Sequence, residues 1–288
     1  MTNLLNERTG KIVMLAVDHG YFQGPTSGLE KPENTIEKLI SFCDAVSPTK
    51  GIFLHCMPKE VKVPVILRAS GGNSIVYSDP IELEREVALR SLGNIEVNTD
   101  EVREQIEEQM IDRELSNEGI TVSAEEAKSL GVSGVSISIY VGSKYQKKSI
   151  LNLSKMSEGT RNNGLELLGI TAVGKEMKRD ARYLGLASRI AAEHGANIVK
   201  TYYCDNFQKV VNGCFVPIVI AGGKKIPEKD ALDVCYRAIS DGAAGVDMGR
   251  NIFQSNFPFA MMKAVGAVVH DGFNPDTAFE LFNDENIN

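Results

Sequence analysis

The chain has 288 residues, of which 43% are hydrophobic and 24% charged, so it can bury a sizeable core and is not expected to be disordered. Its formal net charge of -7 argues against a general nucleic-acid binder, which would carry a basic surface. There is no apolar run near the roughly 18 residues of a membrane span, no apolar signal-peptide core at the N-terminus, and no tight spacing among the five cysteines. We therefore expect a cytoplasmic protein with neither a membrane nor a nucleic acid as its partner.

Short apolar segments rich in β-branched residues recur eight times, each followed by turn residues and then by a segment with helical periodicity. They are residues 11–20, 43–49, 63–72, 134–142, 165–174, 197–203, 216–223 and 245–251. Strands that are apolar on both faces and alternate with helices indicate a parallel sheet covered by helices. Eight such units predict an α/β fold, a closed (β/α)8 TIM barrel that forms one domain over residues 1–288. A doubly wound open sheet is the alternative, since the same alternation produces it.

Residues 79–118 interrupt this rhythm between the third and fourth strands. They contain 13 acidic and 4 basic residues, whereas the rest of the chain contains 25 acidic and 27 basic residues, a balance that suits an anionic metabolite. Val102, Ile106 and Met110 recur with helical spacing after Thr99, a suitable N-cap, so we predict an acidic helical insertion. It would leave the barrel on the face where barrel enzymes carry their active sites, either as a solvated excursion or subunit contact, or as a lid.

Two of the later helices are marked at both ends. Residues 180–194 carry an apolar stripe with helical period, and Gly195 follows as a stop. The helix that begins at Pro227 has a proline in its first turn and ends before Gly242. Both helices fit the alternation of a barrel.

In a (β/α)8 barrel the turn after each strand points to one shared pocket, and the sixth strand ends in Lys200. A lysine at the end of an interior strand lies in a dry place, where desolvation favours its neutral amine. A neutral amine attacks a ketone to form a Schiff base, whose iminium is an electron sink for cleaving or forming the adjacent C–C bond. The alternative is a lysine that reaches solvent or pairs with a structural carboxylate.

Other strand ends carry groups that can move protons. The first strand ends in Asp18 and His19, the third in Arg68 and the fourth in Tyr140. A carboxylate beside an imidazole, together with a tyrosine, can supply the proton transfers that Schiff-base chemistry needs. Asp18 as a turn cap and Tyr140 as a packing residue are the structural alternatives. Arg68 is a candidate for contact with the substrate.

Glycine turns follow the seventh and eighth strands, where barrels often bind phosphate with bare backbone amides. Each turn is followed by a cation, so a phosphorylated substrate is predicted; the residues are Gly222, Gly223, Lys224, Gly249 and Arg250. A second phosphate could meet Lys175, Arg179 and Arg182, which are equally explained as surface residues. His55, His194 and His270 have no spacing that suggests a metal site, so no metal is predicted.

Six motifs in this order resemble one family: VMLAVDHGYFQGPTSGLE, VILRASGGNSI, IYVGSKY, IVKTYY, PIVIAGGKK and GVDMGRNIFQS. It is the class I aldolase family that holds the archaeal-type fructose-bisphosphate aldolases and the deoxyribose-phosphate aldolase relatives. The resemblance covers the chain except residues 79–118 and is strongest to the branch of thiolases that act on the phosphorylated dione of autoinducer-2 breakdown. Ser138 stands where the fructose-bisphosphate members carry an aromatic residue two positions before the tyrosine.

The resemblance implies the Schiff base at Lys200, acid–base work by His19 beside Asp18, and proton donation by Tyr140. It implies a phosphorylated ketose or dione as substrate, with coenzyme A as cosubstrate in a thiolase and no cofactor in an aldolase. It also implies a large homo-oligomer, a ring or double ring such as a decamer. The leading prediction is therefore a thiolase-type class I aldolase. The alternatives are a class I fructose-bisphosphate aldolase and, more distantly, an isomerase or sensor that binds phosphate without Schiff-base chemistry.

Overall fold

A computed structural model describes residues 4–75, 87–88, 115–172 and 178–285 of the chain. Eight parallel strands in this part of the chain form a barrel, and each of them lies within one of the eight predicted segments. They are β1 (Ile12–Ala16), β2 (Ala45–Ser47), β3 (Ile66–Arg68), β6 (Gly134–Ile139), β7 (Glu166–Thr171), β8 (Ile198–Thr201), β9 (Ile218–Ala221) and β10 (Gly245–Met248). Two short strands, β4 (Ser70–Gly71) and β5 (Gly119–Ile120), pair antiparallel beside it.

The helices follow the strands along the chain. They are α1 (Gly20–Gln23), α2 (Pro32–Leu39), α3 (Lys50–Cys56), α4 (Ala124–Ser129), α5 (Gln146–Asn163), α6 (Ala181–Glu193), α7 (Phe207–Gly213), α8 (Glu228–Ser240), α9 (Arg250–Phe253), α10 (Pro258–Gly266) and α11 (Pro275–Asp284). A 3-10 turn spans Ile40–Phe42, and a π-helical turn spans Ala267–Asp271. No helix of the described ranges is long and apolar enough to cross a membrane.

The barrel closes between its second and third strands. The strands neighbour one another in the order β2, β1, β10, β9, β8, β7, β6 and β3, and a parallel bridge between Val46 and Val65 joins the two ends. The backbone N–H of Arg68 also donates to the carbonyl of Pro48 at 2.8 Å. The predicted barrel is confirmed, and the alternative of an open sheet is wrong.

Inside the barrel, side chains alternate between the interior and the helix layer along each strand. Met14 and Ile198 pack in the small interior cluster, while Val199 packs in the large cluster between the strands and the helices. Because Lys200 is two residues beyond Ile198, it points into the barrel, one layer nearer the carboxyl end. The interior is therefore apolar near the amino ends of the strands and polar near their carboxyl ends.

The two helices with marked ends form as predicted. Asp180 caps α6 by accepting a hydrogen bond of 2.9 Å from the backbone N–H of Tyr183. After the helix the chain turns at Gly195, which has a φ of 95° that favours glycine. Helix α8 begins directly after Pro227, and Gly242 has a φ of 102° beyond its end.

Most of the acidic segment 79–118 lies outside the described residues, so the predicted helical insertion and the single domain over residues 1–288 stay predictions. The carboxyl end of the segment is an exception. Ser116 and Glu118 are buried, with exposed fractions of 3% and 2%, and β5 follows directly. Glu118 is therefore not solvated, and it points into the protein, where Arg68 binds it.

Candidate active site

Lys200 lies at the carboxyl end of the barrel and is 12% exposed. Its Nζ is 2.8 Å from Oδ2 of Asp247, a carboxylate on β10 with an exposed fraction of 1%. Asp247 lies opposite Met14 and Ala221 on the neighbouring strands. Burial raises the pKa of Asp247, although Lys200 opposes this shift. The lysine is an almost buried amine that shares its site with a carboxylate.

Asp18 and His19 follow β1 and face the same space. Asp18 Oδ2 is 3.4 Å from Nη1 of Arg68, and His19 Nδ1 is 3.9 Å from Asp18 Oδ1. Burial alone would raise the pKa of Asp18, but Arg68, His19 and Lys200 together lower it. Burial lowers the pKa of His19 to about 4, although the negative charge of Asp18 opposes this shift. Asp18 is thus held as a carboxylate and His19 as a neutral imidazole near neutral pH.

The space for His19 depends on Gly249, the residue after β10. A Cβ atom at Gly249 would lie 2.4 Å from Cε1 of His19 and 2.4 Å from the carbonyl oxygen of Ala16. The His19 ring also contacts the ring of Phe253 edge to face, with centroids 5.4 Å apart. The imidazole is therefore fixed between α9 and the end of β1.

Arg68 is 5% exposed, and its guanidinium is surrounded by groups of the protein. Its Nη2 donates to both oxygens of Glu118, at 2.9 and 3.1 Å, and to Oγ of Ser138 at 2.7 Å. Burial would lower the pKa of Arg68, but Tyr21, Glu118 and Asp18 raise it above its ordinary value. Arg68 is thus a permanent cation that holds two carboxylates in place, and its predicted contact with the substrate stays a prediction.

Tyr140, directly after β6, donates its hydroxyl hydrogen bond to Oε1 of Glu118 at 2.7 Å. Burial raises the pKa of Tyr140, and the negative charge of Glu118 adds to the effect. Its backbone N–H donates to Oγ of Ser149 at 3.1 Å, which ties the end of the strand to α5. Tyr140 is therefore a protonated phenol with a fixed direction.

The two glycine turns are joined by Asn251, which is 1% exposed. Its Nδ2 donates to the carbonyl of Gly222 at 2.6 Å, and its Oδ1 accepts from the backbone N–H of Ile226 at 2.9 Å. Gly223 has a φ of 69°, which favours glycine. The turn that holds Gly222, Gly223 and Lys224 is thus fixed to the start of α9 by a side chain.

Two arginines near these turns have no carboxylate partner among the described residues. Arg250 is partly buried and its Nε has no hydrogen-bond partner there, while burial and the charge of Arg179 lower its pKa. The Arg179 guanidinium stacks on the ring of Tyr202, 3.8 Å from the centroid. Cations without a described carboxylate partner suit an anionic ligand. Of the other two candidates for a second phosphate, Arg182 is exposed and Lys175 lies outside the described residues.

Glu118, Asp247 and Asn251 are site residues that the sequence analysis missed. The Asp247 position had a detectable signal, because a carboxylate inside the apolar strand segment 245–251 is unusual. Asn251 directly follows the predicted phosphate residue Arg250. Glu118 had no such signal, since it is one of 13 acidic residues in its segment.

The histidines outside the pocket do not form a metal centre. His55 and His194 are exposed, and Nε2 of His270 lies 2.8 Å from Oδ2 of Asp44. Within the described ranges, no three His, Cys, Asp or Glu side chains are arranged to hold a metal ion.

Comparison with known families gives a match over most of the chain. A model of the DeoC/LacD family of aldolases matches residues 12–255. An aldolase of Pasteurella multocida is 45% identical over 286 residues, which cover 99% of this chain and 86% of that protein. The 3-hydroxy-5-phosphonooxypentane-2,4-dione thiolase of Photorhabdus laumondii is 46% identical over 283 residues, which cover 98% of this chain and 85% of that protein.

A solved structure agrees with this match. An archaeal fructose-1,6-bisphosphate aldolase, with its catalytic lysine covalently bound to the carbinolamine intermediate of the substrate, is similar with a TM-score of 0.72. It is 25% identical, and the match covers 92% of this chain and 96% of that one. The fold of the chain thus has a counterpart in a Schiff-base enzyme.

Proposed function

The chain belongs to the DeoC/LacD family of aldolases, and on that premise we propose that it is a Schiff-base enzyme of the thiolase type. Lys200 attacks a ketone of a phosphorylated dione. The bond that then breaks joins the carbon next to that ketone to the following carbon. The observation that carries the proposal is the Lys200 amine itself, 12% exposed at the carboxyl end of the barrel and 2.8 Å from a buried carboxylate. A desolvated amine beside a proton acceptor is the arrangement that imine formation requires.

The first half of the reaction forms the iminium. The Lys200 nitrogen bonds to the carbonyl carbon, the carbonyl oxygen leaves as water, and the positive nitrogen then withdraws the electron pair of the adjacent C–C bond. Asp18 is held ionised by Arg68, and His19 is neutral near neutral pH. We assign to His19 the role of proton acceptor, and to Tyr140 the role of proton donor.

The second half of the reaction needs an acceptor for the acyl fragment. In 3-hydroxy-5-phosphonooxypentane-2,4-dione, the ketone next to the phosphorylated carbon forms the Schiff base, and the other ketone carbon is attacked by the thiol of coenzyme A. The bond between that carbon and the hydroxyl-bearing carbon breaks, the thiol proton goes to the new enamine carbon, and hydrolysis of the imine frees Lys200. A relative that is 46% identical to this chain and is named a thiolase of this dione supports this acceptor.

Cleavage of fructose 1,6-bisphosphate is the alternative, supported by the structural similarity to the archaeal aldolase. The roles of Lys200, Asp18, His19 and Tyr140 would be the same, and the second fragment would leave as an aldehyde without coenzyme A. Ser138 binds Arg68 in this chain, at a position where the fructose-bisphosphate members carry an aromatic residue. This difference favours the thiolase.

The phosphate of the substrate is assigned to the turns joined by Asn251. Backbone amides of Gly222, Gly223 and Gly249 can approach an anion closely, and Lys224 and Arg250 supply positive charge. A phosphorylated small molecule is thus the proposed partner. A ring-shaped homo-oligomer and a cytoplasmic location stay predictions.

Reductive trapping tests the Schiff base. The protein is incubated with dihydroxyacetone phosphate and borohydride, and its peptides are mapped by mass. We expect the adduct on the Lys200 peptide, its loss in Lys200→Met, and its retention in Lys229→Met, which removes a lysine that is 54% exposed. An unmodified Lys200 in the wild type would contradict the proposal and favour a phosphate-binding barrel without imine chemistry.

Two assays on the same preparation then separate the thiolase from the aldolase. The first measures coenzyme A-dependent cleavage of 3-hydroxy-5-phosphonooxypentane-2,4-dione, and the second measures cleavage of fructose 1,6-bisphosphate. We expect turnover in the first only. Turnover of the bisphosphate without coenzyme A, and none of the dione, would select the alternative.

A further inference from the structure

Among the described residues, three carboxylates lie close together at the carboxyl end of the barrel, and Arg68 contacts two of them. Asp18 and Glu118 each contact its guanidinium, and Glu118 also accepts hydrogen bonds from two tyrosine hydroxyls. Asp247 differs, since its described ion-pair partner is Lys200, 2.8 Å from Oδ2, and neither of its oxygens has another hydrogen-bond partner among the described residues. Of the three carboxylates, Asp247 is therefore the one that contacts the Lys200 amine.

We propose that Asp247 is a catalytic residue that exchanges protons directly with the Lys200 nitrogen during formation and hydrolysis of the Schiff base. The proposal rests on the proposed function and assigns a step of it to a residue outside the motif positions to which the family resemblance gave a role. The geometry carries it, because Oδ2 and Nζ are 2.8 Å apart and the carboxylate is 1% exposed. At such a distance a proton passes without an intervening water.

The protons balance with one carboxyl group. Asp247 takes one proton from the Lys200 ammonium, and the neutral amine bonds to the ketone carbon. In the resulting carbinolamine, the nitrogen gives a second proton to the former carbonyl oxygen, and the Asp247 carboxylic acid returns the first proton to it. Water leaves, and the iminium keeps one proton beside the regenerated carboxylate. The sum is one ammonium and one ketone giving one iminium and one water.

The charges around Asp247 favour this role for it over Asp18. Burial raises the pKa of Asp247 and the negative charge of Asp18 adds to this, whereas Lys200 and Arg68 oppose it. The pKa of Asp18 is lowered by its cations, so that carboxylate stays ionised. Two carboxyl groups whose pKa values are shifted in opposite directions divide into one that exchanges protons and one that stays charged.

The asparagine variant tests the proposal because it keeps the shape of the side chain and removes its ability to accept a proton. The rate of borohydride trapping of Lys200 with dihydroxyacetone phosphate is measured in the wild type and in Asp247→Asn. Binding of glycerol 3-phosphate, which has no carbonyl group, is measured in parallel. We expect trapping to slow by about 100-fold or more, the range of general acid–base catalysis, while glycerol 3-phosphate binding stays near the wild-type value.

The pH dependence distinguishes a proton carrier from a structural ion pair. Between about pH 7 and about pH 9 the trapping deficit of Asp247→Asn shrinks, because hydroxide then removes the amine proton that Asp247 otherwise takes. Asp44→Asn is the matched control, since Asp44 is a partly buried carboxylate outside the pocket, bound to His270. We expect wild-type trapping from the control. If Asp247→Asn does not fold, Asp247→Ser is measured instead.

Each result is decisive. Trapping of Asp247→Asn at the wild-type rate, a deficit that is constant with pH, or an equal loss of glycerol 3-phosphate binding would overturn the role of Asp247 while leaving the proposed function intact. Absence of trapping at Lys200 in the wild type would overturn the proposed function, and the role of Asp247 with it.

Discussion

Glu118 and Tyr140 are joined by a hydrogen bond of 2.7 Å in which the tyrosine hydroxyl donates to the carboxylate. The same oxygen, Oε1, accepts from Tyr21 at 2.8 Å and from Arg68 at 2.9 Å. Glu118 thus fixes the direction of a proposed proton donor and neutralises a buried cation. It comes from the acidic segment that the sequence places outside the barrel, so this part of the pocket depends on a long-range contact.

Replacing Glu118 by glutamine should destabilise the protein. The amide cannot neutralise Arg68, and breaking a buried pair by changing one partner costs about 3 to 5 kcal/mol. Urea unfolding followed by circular dichroism gives the change in the free energy of unfolding. Glu126→Gln is the control, because Glu126 is 41% exposed in its pair with Lys50, and exposed pairs contribute about 0 to 1 kcal/mol. Equal losses in the two variants would contradict the role of Glu118.

A methyl group at Gly249 should reduce catalysis by displacing His19. The Cβ atom would lie 2.4 Å from both the imidazole and the carbonyl oxygen of Ala16, so that His19 and the end of β1 must move, and a shift of about 1 Å in a catalytic group lowers the rate by about 100-fold. Steady-state kinetics of Gly249→Ala, with the proposed dione and coenzyme A, measures kcat. Gly266→Ala is the control, since nothing lies within 4 Å of a Cβ there. A normal kcat in Gly249→Ala would mean that His19 does not need this position.

Replacing Arg250 by glutamine should weaken binding of the phosphorylated substrate. The guanidinium, whose Nε has no hydrogen-bond partner among the described residues, is assigned to the phosphate, and a hydrogen bond to a charged group contributes about 1.5 to 3 kcal/mol, or about 10-fold to 150-fold in affinity. Titration calorimetry with glycerol 3-phosphate measures this loss. Arg237→Gln removes the same charge from α8, where Arg237 pairs with Asp233, and should bind normally. Equal weakening in both variants would indicate an effect of net charge alone.

The stability of the folded protein should fall as His19 is protonated. Its pKa is about 4 in the folded protein, against 6.5 for an exposed histidine, so the unfolded chain binds this proton first. As the pH falls from about 6.5 to about 4, protonation of His19 lowers the free energy of unfolding by about 3 kcal/mol. Above about pH 6.5, His19 is neutral in both states and the free energy of unfolding no longer changes because of it. Urea unfolding of the wild type and His19→Gln across this range measures the difference, and identical slopes would contradict it.

The strand pattern could be predicted because it is local. Each buried strand is a short run of β-branched and other apolar residues ended by a turn, and all eight lie inside the predicted segments. The alternation of side chains between the two faces of a strand is equally local. Lys200 therefore points inward because Ile198, two positions earlier, does so. The glycines after the last two strands were likewise visible as turns.

The partners of these residues were decided by the closure of the barrel. Asp247 is 47 positions from Lys200, and Glu118 is 50 positions from Arg68. No local pattern pairs them, because Asp247 and Lys200 meet through the register of the barrel strands, and Glu118 reaches Arg68 where β5 pairs with β4. Burial then shifts the pKa of His19 and Asp247, an effect that needs the surrounding protein to exclude water. The sequence by itself thus determined the barrel and its candidate amine, whereas the tertiary structure decided which carboxylate meets that amine and which one Arg68 holds charged.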